Sequence, residues 1–391
     1  MGIPRLRAYS GPAFLSYGFR PFFFLGALQA GLSVVLWLPI YAGELDAHSA
    51  LVPVDWHVHE MLFGYLPAIV TGFLLTAIPN WTGRLPVQGP PLLALVVLWI
   101  AGRAAAFFSA DIGWAAAAVI DVAFLLAVTA AAAREIVAGR NWRNLKVLLP
   151  LAVLACANGA FHVEAHLQGI SDISRRLGIA AAIILISLIG GRIIPSFTRN
   201  WLVRENPGRL PAPFDRFDMA SIAVSIAALG AWTVIPDSNI SGLLMAIAAI
   251  CQAWRLSRWA GERTTRDPLV LVLHVAYAFV PVGLALVSAS IFFPDAVPAA
   301  AGFHALGAGA IGSMTLAVMA RATLGHTGRE LKARRGTLFV FAAILLAGSS
   351  RTLGAFVPYD AVIHLAGAAW VAAFAGFILV YGTALMTPRA R

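Results

Sequence analysis

Residues Trp56–Trp81 read WHVHEMLFGYLPAIVTGFLLTAIPNW. Two histidines and a glutamate, His57, His59 and Glu60, stand at the start of an apolar run long enough to cross a bilayer, which takes about 20 residues. Polar side chains at the mouth of a membrane helix are costly to keep from water, so by default they mark a functional site. The stretch therefore predicts a membrane-spanning helix that carries metal-competent side chains at one end.

The composition of the whole chain is that of a helical membrane protein. Of its 391 residues, 60% are hydrophobic and 12% are charged, and the mean hydropathy is +0.82. Soluble domains carry about 25% charged residues. The apolar runs are about 18–25 residues long, too long for barrel strands of about 10 residues. We therefore predict an all-α polytopic transmembrane bundle, folded as a single integral-membrane domain over residues 1–391.

The apolar runs follow one another with short loops between them, and they predict twelve spans. The spans cover residues 22–41, 56–78, 91–108, 112–133, 145–166, 177–195, 217–235, 241–259, 268–293, 300–324, 337–358 and 360–386.

Lysine and arginine are distributed unevenly between the two sides of this map. Of the 28 such residues, 23 fall on the side of the amino terminus, and only Arg175 and Arg176 fall in loops on the opposite side. Because positive loops stay in the cytoplasm, both termini are predicted to be cytoplasmic. The same distribution argues against a nucleic-acid partner despite the net charge of +10, since the basic residues follow the loops. The expected partner is the lipid bilayer.

The topology gives each histidine a depth in the membrane. His57, His59, His162, His166 and His304, on the second, fifth and tenth spans, all fall near the outer face. His162 and His166 are spaced i, i+4 and share one helix face. His57 and His59 point about 200° apart on a regular helix. Imidazole is the commonest metal ligand and also an axial haem ligand, so these five residues are predicted to bind a metal or another cofactor.

Two glutamates and a sixth histidine extend the predicted site. Glu60 and Glu164 lie beside the histidine pairs, where they would ligate a metal, fix imidazole tautomers or carry protons. His274 opens the ninth span. It is a further cofactor candidate, and a structural role is an equal alternative.

The remaining histidines, arginines and cysteines within or near the spans are interpreted mainly as structural residues. Arg103 lies inside a span, where pairing with a buried acid such as Asp121, or with a haem propionate, would explain it. His48 and His364 are interpreted as structural residues, and His326 as a surface or loop-packing residue. Cys156 and Cys251 lie on different spans with no CxxC pair, which predicts neither a disulfide nor a thiolate metal site.

Five motifs are spread over essentially the whole chain. They are GFRPFF (Gly18–Phe23), WHVHEMLFG (Trp56–Gly64), GFLLTAIPNWTG (Gly72–Gly83), GGRIIPSFTRNW (Gly190–Trp201) and HALGAGAIGSMTLAVMARATLGHTGR (His304–Arg329). Together they resemble the NnrS family of haem- and copper-containing membrane proteins, which is linked to the bacterial response to nitric oxide. The resemblance implies twelve spans in the bacterial inner membrane, haem and copper as cofactors, nitric oxide as a small-molecule ligand, and protection against nitrosative stress.

The resemblance does not imply an established reaction. Haem-copper oxidases and nitric oxide reductases also have twelve-span cores, but this chain lacks an adjacent His-His pair and has no histidine on its sixth and seventh spans. We therefore expect the cofactors but not the reductase reaction, and the electron donor and any enzymatic activity stay open. The leading hypothesis is a haem and copper site in the periplasmic half. The alternative is a multi-span transporter or copper/haem carrier that uses the same histidines transiently.

Overall fold

Twelve long helices make up the described part of the chain. The structure, a computed structural model, describes residues 9–357 and 359–389. Each helix is long and apolar enough to cross a bilayer, and the described residues contain no strand. In chain order the helices are α1 (Phe19–Tyr41), α2 (Pro53–Thr82), α3 (Pro90–Phe107), α4 (Trp114–Ala138), α5 (Trp142–Gln168), α6 (Ile173–Glu205), α7 (Arg216–Val234), α8 (Asn239–Arg263), α9 (Pro268–Phe292), α10 (Ala299–His326), α11 (Arg335–Leu353) and α12 (Asp360–Met386). The predicted all-α polytopic bundle is confirmed.

Two of these helices contain a wider, π-helical segment. In α2 this segment is Glu60–Tyr65, and in α10 it is Ala305–Gly312. Each begins directly after a histidine of the predicted site, His59 in α2 and His304 in α10. Such segments are rare and often occur at functional sites. Because a π turn changes the angular spacing of side chains, helical periodicity does not give the directions of the residues that follow.

Helix α6 continues well past the predicted end of its span at residue 195. It ends at Glu205, in a region that the sequence predicts to be a basic loop. Ile194, Thr198 and Leu202 are each 0% exposed. Their i, i+4 spacing places them on one face. Burial of this stripe stabilises the extension, although the surrounding residues are basic. Helix α11, in contrast, is shorter than predicted. It ends at Leu353, whereas the predicted span ends at residue 358, which lies outside the described residues.

The described residues group into two compact units. The first contains those within Met1–Gly178, Ala322–Glu330 and Phe377–Arg391, and the second those within Ile179–Arg321 and Leu331–Gly376. Helices α1 to α5 lie wholly in the first unit, and α7, α8, α9 and α11 wholly in the second.

In the first unit, glycines bring α1 and α2 close together. A Cβ atom at Gly26 of α1 would lie 2.6 Å from the Ile69 side chain, and one at Gly72 of α2 would lie 2.8 Å from the Phe23 ring. Phe23 itself is 0% exposed. Small residues allow this close approach of helix backbones inside a membrane. The contact holds α2, and with it His59, in a fixed position against α1.

In the second unit, one arginine joins four helices. Arg255 of α8 is 0% exposed, and its Nε donates to Oδ1 of Asp218 on α7 over 2.8 Å. Its Nη1 donates to the Ser187 carbonyl on α6 over 3.0 Å and to the Tyr277 hydroxyl on α9 over 3.1 Å. A buried charge needs such partners, so the arginine fixes the arrangement of α6 to α9.

Candidate metal centre

Two histidines and an aspartate converge inside the first unit. They are His59 of α2, Asp121 of α4 and His162 of α5, and one ligand atom from each lies within 4.8 Å of those of the other two. None of the three side chains is more than 2% exposed. The structure therefore brings together two of the histidines proposed from the sequence and adds an acid from a third helix.

The atoms that face one another in this cluster are imidazole nitrogens and side-chain oxygens, each of which can bind a cation when it carries no proton. Nε2 of His59 lies 3.1 Å from Asp121 Oδ2, 3.2 Å from His162 Nε2 and 3.1 Å from Asn158 Oδ1. The amide of Asn158 donates from Nδ2 to Asp121 Oδ2 over 2.8 Å, which turns its oxygen toward His59. Convergence of imidazole, carboxylate and amide acceptors is what a cation site requires.

The cluster also carries an excess of negative charge. Arg103 of α3 donates to Glu60 Oε1 over 2.6 Å and to Asp121 Oδ1, which confirms the predicted pairing of Arg103 with Asp121. Gln29 of α1 donates to the other oxygen of Glu60 over 2.5 Å. Two carboxylates thus share one guanidinium, and with neutral imidazoles one negative charge is left over. A buried charge is unfavourable without a partner, so the cluster favours one further cation, either a proton or a metal ion.

The geometry of the two imidazoles fits one compact metal ion. Nδ1 of His59 donates to Glu60 Oε1 over 3.2 Å, which leaves Nε2 as the ligating nitrogen. Two nitrogens at about 2.0–2.1 Å from a tetrahedral metal lie about 3.3 Å apart, close to the observed Nε2 separation of 3.2 Å between His59 and His162. As opposite axial ligands of one haem they would need about 4 Å. The pair therefore fits one compact metal ion, but not a haem held between the two rings.

His57 and His166 lie outside this cluster in the same unit. The ring of His57 stacks on Trp37 of α1 with 4.3 Å between centroids. That of His166 stacks on Trp114 of α4, also at 4.3 Å, and its side chain is exposed. Each imidazole is thus held against an indole. His166 shares its helix face with His162, as the spacing predicts.

Glu164 is engaged at the start of α6. Its Oε1 accepts the backbone N–H groups of Asp172 and Ile173 over 2.9 and 2.8 Å. Its Oε2 accepts the N–H and hydroxyl of Ser174 over 2.8 and 2.5 Å. A carboxylate at a helix amino terminus satisfies otherwise unpaired donors and interacts favourably with the helix dipole. Both oxygens of Glu164 therefore serve to anchor the α5–α6 connection.

The two other predicted histidines lie in the second unit. Nδ1 of His304 donates to the Ala300 carbonyl over 2.7 Å, so Nε2 is the nitrogen that can ligate. Nε2 of His274 donates to the Thr198 hydroxyl over 2.8 Å, since that hydroxyl itself donates to the Ile194 carbonyl. His274 thus links α9 to α6, in line with the structural alternative for this residue.

Sequence reasoning did not propose Asp121 or Asn158 as parts of the site. The sequence did contain an indication of Asp121, because an acid inside an apolar span is as costly as Arg103 in the preceding span. Asn158 lies one helical turn before His162 on the same face. Both could have been found by extending the histidine search to every polar residue at that depth.

Fold and site together define a class: a multi-pass helical membrane protein with a buried candidate metal centre. The family model described as "NnrS protein" matches residues 13–389, and the chain belongs to the NnrS family. A comparison with curated proteins finds no match. Family membership and the cluster of two histidines and an aspartate fit a metal-binding membrane protein.

Proposed function

We propose that this protein binds copper at His59, Asp121 and His162, binds haem through other histidines, and protects a bacterium against nitric oxide and nitrosative stress from its inner membrane. The observation that carries the proposal is the buried convergence of two imidazoles and a carboxylate, in a cluster whose two carboxylates share a single guanidinium. Membership of the NnrS family supports haem, copper and nitric oxide, which the resemblance implies.

The residues around the proposed copper site have distinct tasks. His59 and His162 would bind through Nε2, and Asp121 through Oδ2. Glu60 accepts the Nδ1 proton of His59 and so holds the ligating tautomer. Arg103 donates a hydrogen bond to Oδ1 of Asp121 and thereby orients Oδ2 toward the histidines. Copper bound there would supply a centre that exchanges an electron and coordinates a small ligand.

For haem, His304 is the residue that we propose would hold the group. Its Nδ1 is fixed by the Ala300 carbonyl, the arrangement in which Nε2 of an imidazole is oriented for a metal. The π-helical segment Ala305–Gly312 follows it directly, as the corresponding segment follows His59 in α2. His57 and His274 are the further candidates.

A copper carrier is the second candidate function. It is favoured by a cavity of about 250 Å³ that reaches His162 from the end of the first unit where Leu51 and Gly113 lie. A carrier needs such access, because it must release its metal as well as bind it.

The test of the proposal combines metal content with a spectrum. Copper and iron are quantified in the detergent-purified protein, and a reduced-minus-oxidised visible spectrum is recorded on the same sample. We expect bound copper and a haem signal. Asp121→Asn, His59→Ala and His162→Ala should each lower copper affinity at least ~10-fold, since each removes a ligand or its charge. His364→Ala is the control, because this exposed histidine bonds to the carbonyl of Asp360 on its own helix.

The results separate the proposals. Copper-free wild-type protein after full copper supply would contradict the site, and absence of a haem signal would contradict the haem assignment. Copper that binds but exchanges freely on dialysis would favour the carrier.

A further inference from the structure

The cavity that reaches His162 contains a second imidazole at a shallower depth. Its volume is about 250 Å³, and its wall includes His162, His166, Trp114 and Ala165. Liquid water takes about 30 Å³ per molecule, so the space accommodates an ion together with several of its waters. The cavity is thus large enough for a partly hydrated cation, but it ends at a buried side chain.

The two histidines connect the cavity to the buried cluster in two steps. His166 is exposed, and its ring is held on the indole of Trp114 with an interplanar angle of 17°. His162 lies one turn deeper, is 2% exposed, and places Nε2 3.2 Å from both Asp121 Oδ2 and His59 Nε2. The i, i+4 spacing aligns both rings on one face of α5.

A metal ion needs such a path, whereas a small neutral gas does not. An ion cannot enter through the apolar belt of the membrane, because the loss of its hydration is too costly there. It must approach from the loop end and exchange its waters for protein ligands. The exposed imidazole in the cavity wall would replace one water before the ion meets the buried cluster, and the carboxylates of the cluster would attract the ion inward.

We propose that this cavity is the route by which a divalent metal ion reaches and leaves the buried centre, and that His166 is a transient ligand on that route. The inference rests on the proposed metal centre at His59, Asp121 and His162. It makes His166 a transient ligand along the path and not a ligand in the final coordination. Because the same path serves both directions, loss of His166 should slow uptake and release by equal factors and leave the affinity unchanged.

The experiment follows copper ions alone with the full-length protein in detergent. Metal-depleted protein is mixed with copper and uptake is timed, and loaded protein is then mixed with a chelator and release is timed. His166→Gln removes the imidazole, and Ala165→Phe narrows the cavity without removing a ligand. We expect both rates to fall roughly tenfold in each variant, the effect of a barrier raised by about 1.4 kcal/mol, with the bound copper per protein unchanged. His364→Gln and Ala165→Ser are the matched controls.

Three results would overturn the inference. Uptake and release at wild-type rates in both His166→Gln and Ala165→Phe would show that the metal does not pass through this cavity. A lower amount of bound copper in His166→Gln would make His166 a ligand of the centre itself. Wild-type protein that takes up no copper would overturn the proposed centre, which is a different failure from unchanged rates in the two variants.

Discussion

Arg103 decides how the charges of the candidate centre are balanced. Its side chain is 9% exposed and contacts both Glu60 and Asp121. Glu60 in turn fixes the tautomer of His59, and Asp121 faces both histidines. Arg103 would not itself bind the metal, but it fixes the positions of Glu60 and Asp121. Residues outside the coordination shell tune metal sites in this way.

Removing Arg103 should destabilise the protein strongly. Arg103→Ala leaves two buried carboxylates without their cation, a change that costs about 3–5 kcal/mol. The midpoint of thermal unfolding of the purified protein measures the effect. The control is Arg209→Ala, since the Arg209–Glu262 pair is 55% and 60% exposed and exposed pairs contribute about 0–1 kcal/mol. Equal midpoints for the two variants would show that the buried charges are not coupled as described.

At the residue scale, the sequence predicted types of side chain better than partners. The pairing of Arg103 with Asp121 followed from the cost of lone charges in a membrane, and it is confirmed. The engagement of Glu164 with the start of α6 was not visible, because it depends on where the chain turns after α5. Nor could spacing along α2 and α5 show that His59, rather than His57, lies against His162.

At the element scale, the π-helical segments of α2 and α10 are the main departure from regular spans. Each begins beside a histidine of the predicted site. The packing of α6 against α8 depends on a close contact between a glycine and an arginine. In α6, a Cβ atom at Gly191 would clash with Nη2 of Arg255, whose guanidinium is held by Asp218, Ser187 and Tyr277. The glycine therefore leaves space for the arginine that joins α6 to α9.

Two glycine-to-alanine changes in the second unit should have opposite signs. Gly191→Ala should destabilise by about 1–3 kcal/mol, because the buried guanidinium cannot move aside without losing its partners. At Gly230 of α7 nothing lies within 4 Å of an added Cβ, so Gly230→Ala should stabilise by up to about 1 kcal/mol through helix propensity. Unfolding of both variants is measured by circular dichroism under identical detergent conditions. A tolerated Gly191→Ala would contradict the close approach.

At the scale of the whole molecule, the distribution of basic residues predicts the orientation in the membrane. The bias of basic residues toward the side of the termini predicts that the termini are cytoplasmic and that the candidate centre lies in the periplasmic half. Arg255, counted in that bias, is buried in an ion pair and so carries no orientation signal. The remaining residues on that side still far outnumber Arg175 and Arg176.

Cysteine labelling should establish the orientation. In a background with Cys156→Ser and Cys251→Ser, single cysteines are introduced as Asp46→Cys, between α1 and α2, and as Lys332→Cys, between α10 and α11. Both positions are exposed. An impermeant thiol reagent should label the first in intact spheroplasts and the second only after permeabilisation. The reverse pattern would place the termini outside and the candidate centre in the cytoplasmic half.

The sequence by itself determined the fold class and the number of spans, because apolar runs of bilayer length are stable only where they cross a membrane. It also pointed to histidines as candidate ligands, because polar groups inside such runs are costly to keep there. It also predicted the family that the comparison confirms. Only the tertiary structure decided which residues meet. Asp121, His59 and His162 come from three helices, and their convergence depends on how those helices pack and rotate. A π-helical turn beside His59 changes that rotation, and no periodic pattern in the sequence encodes it.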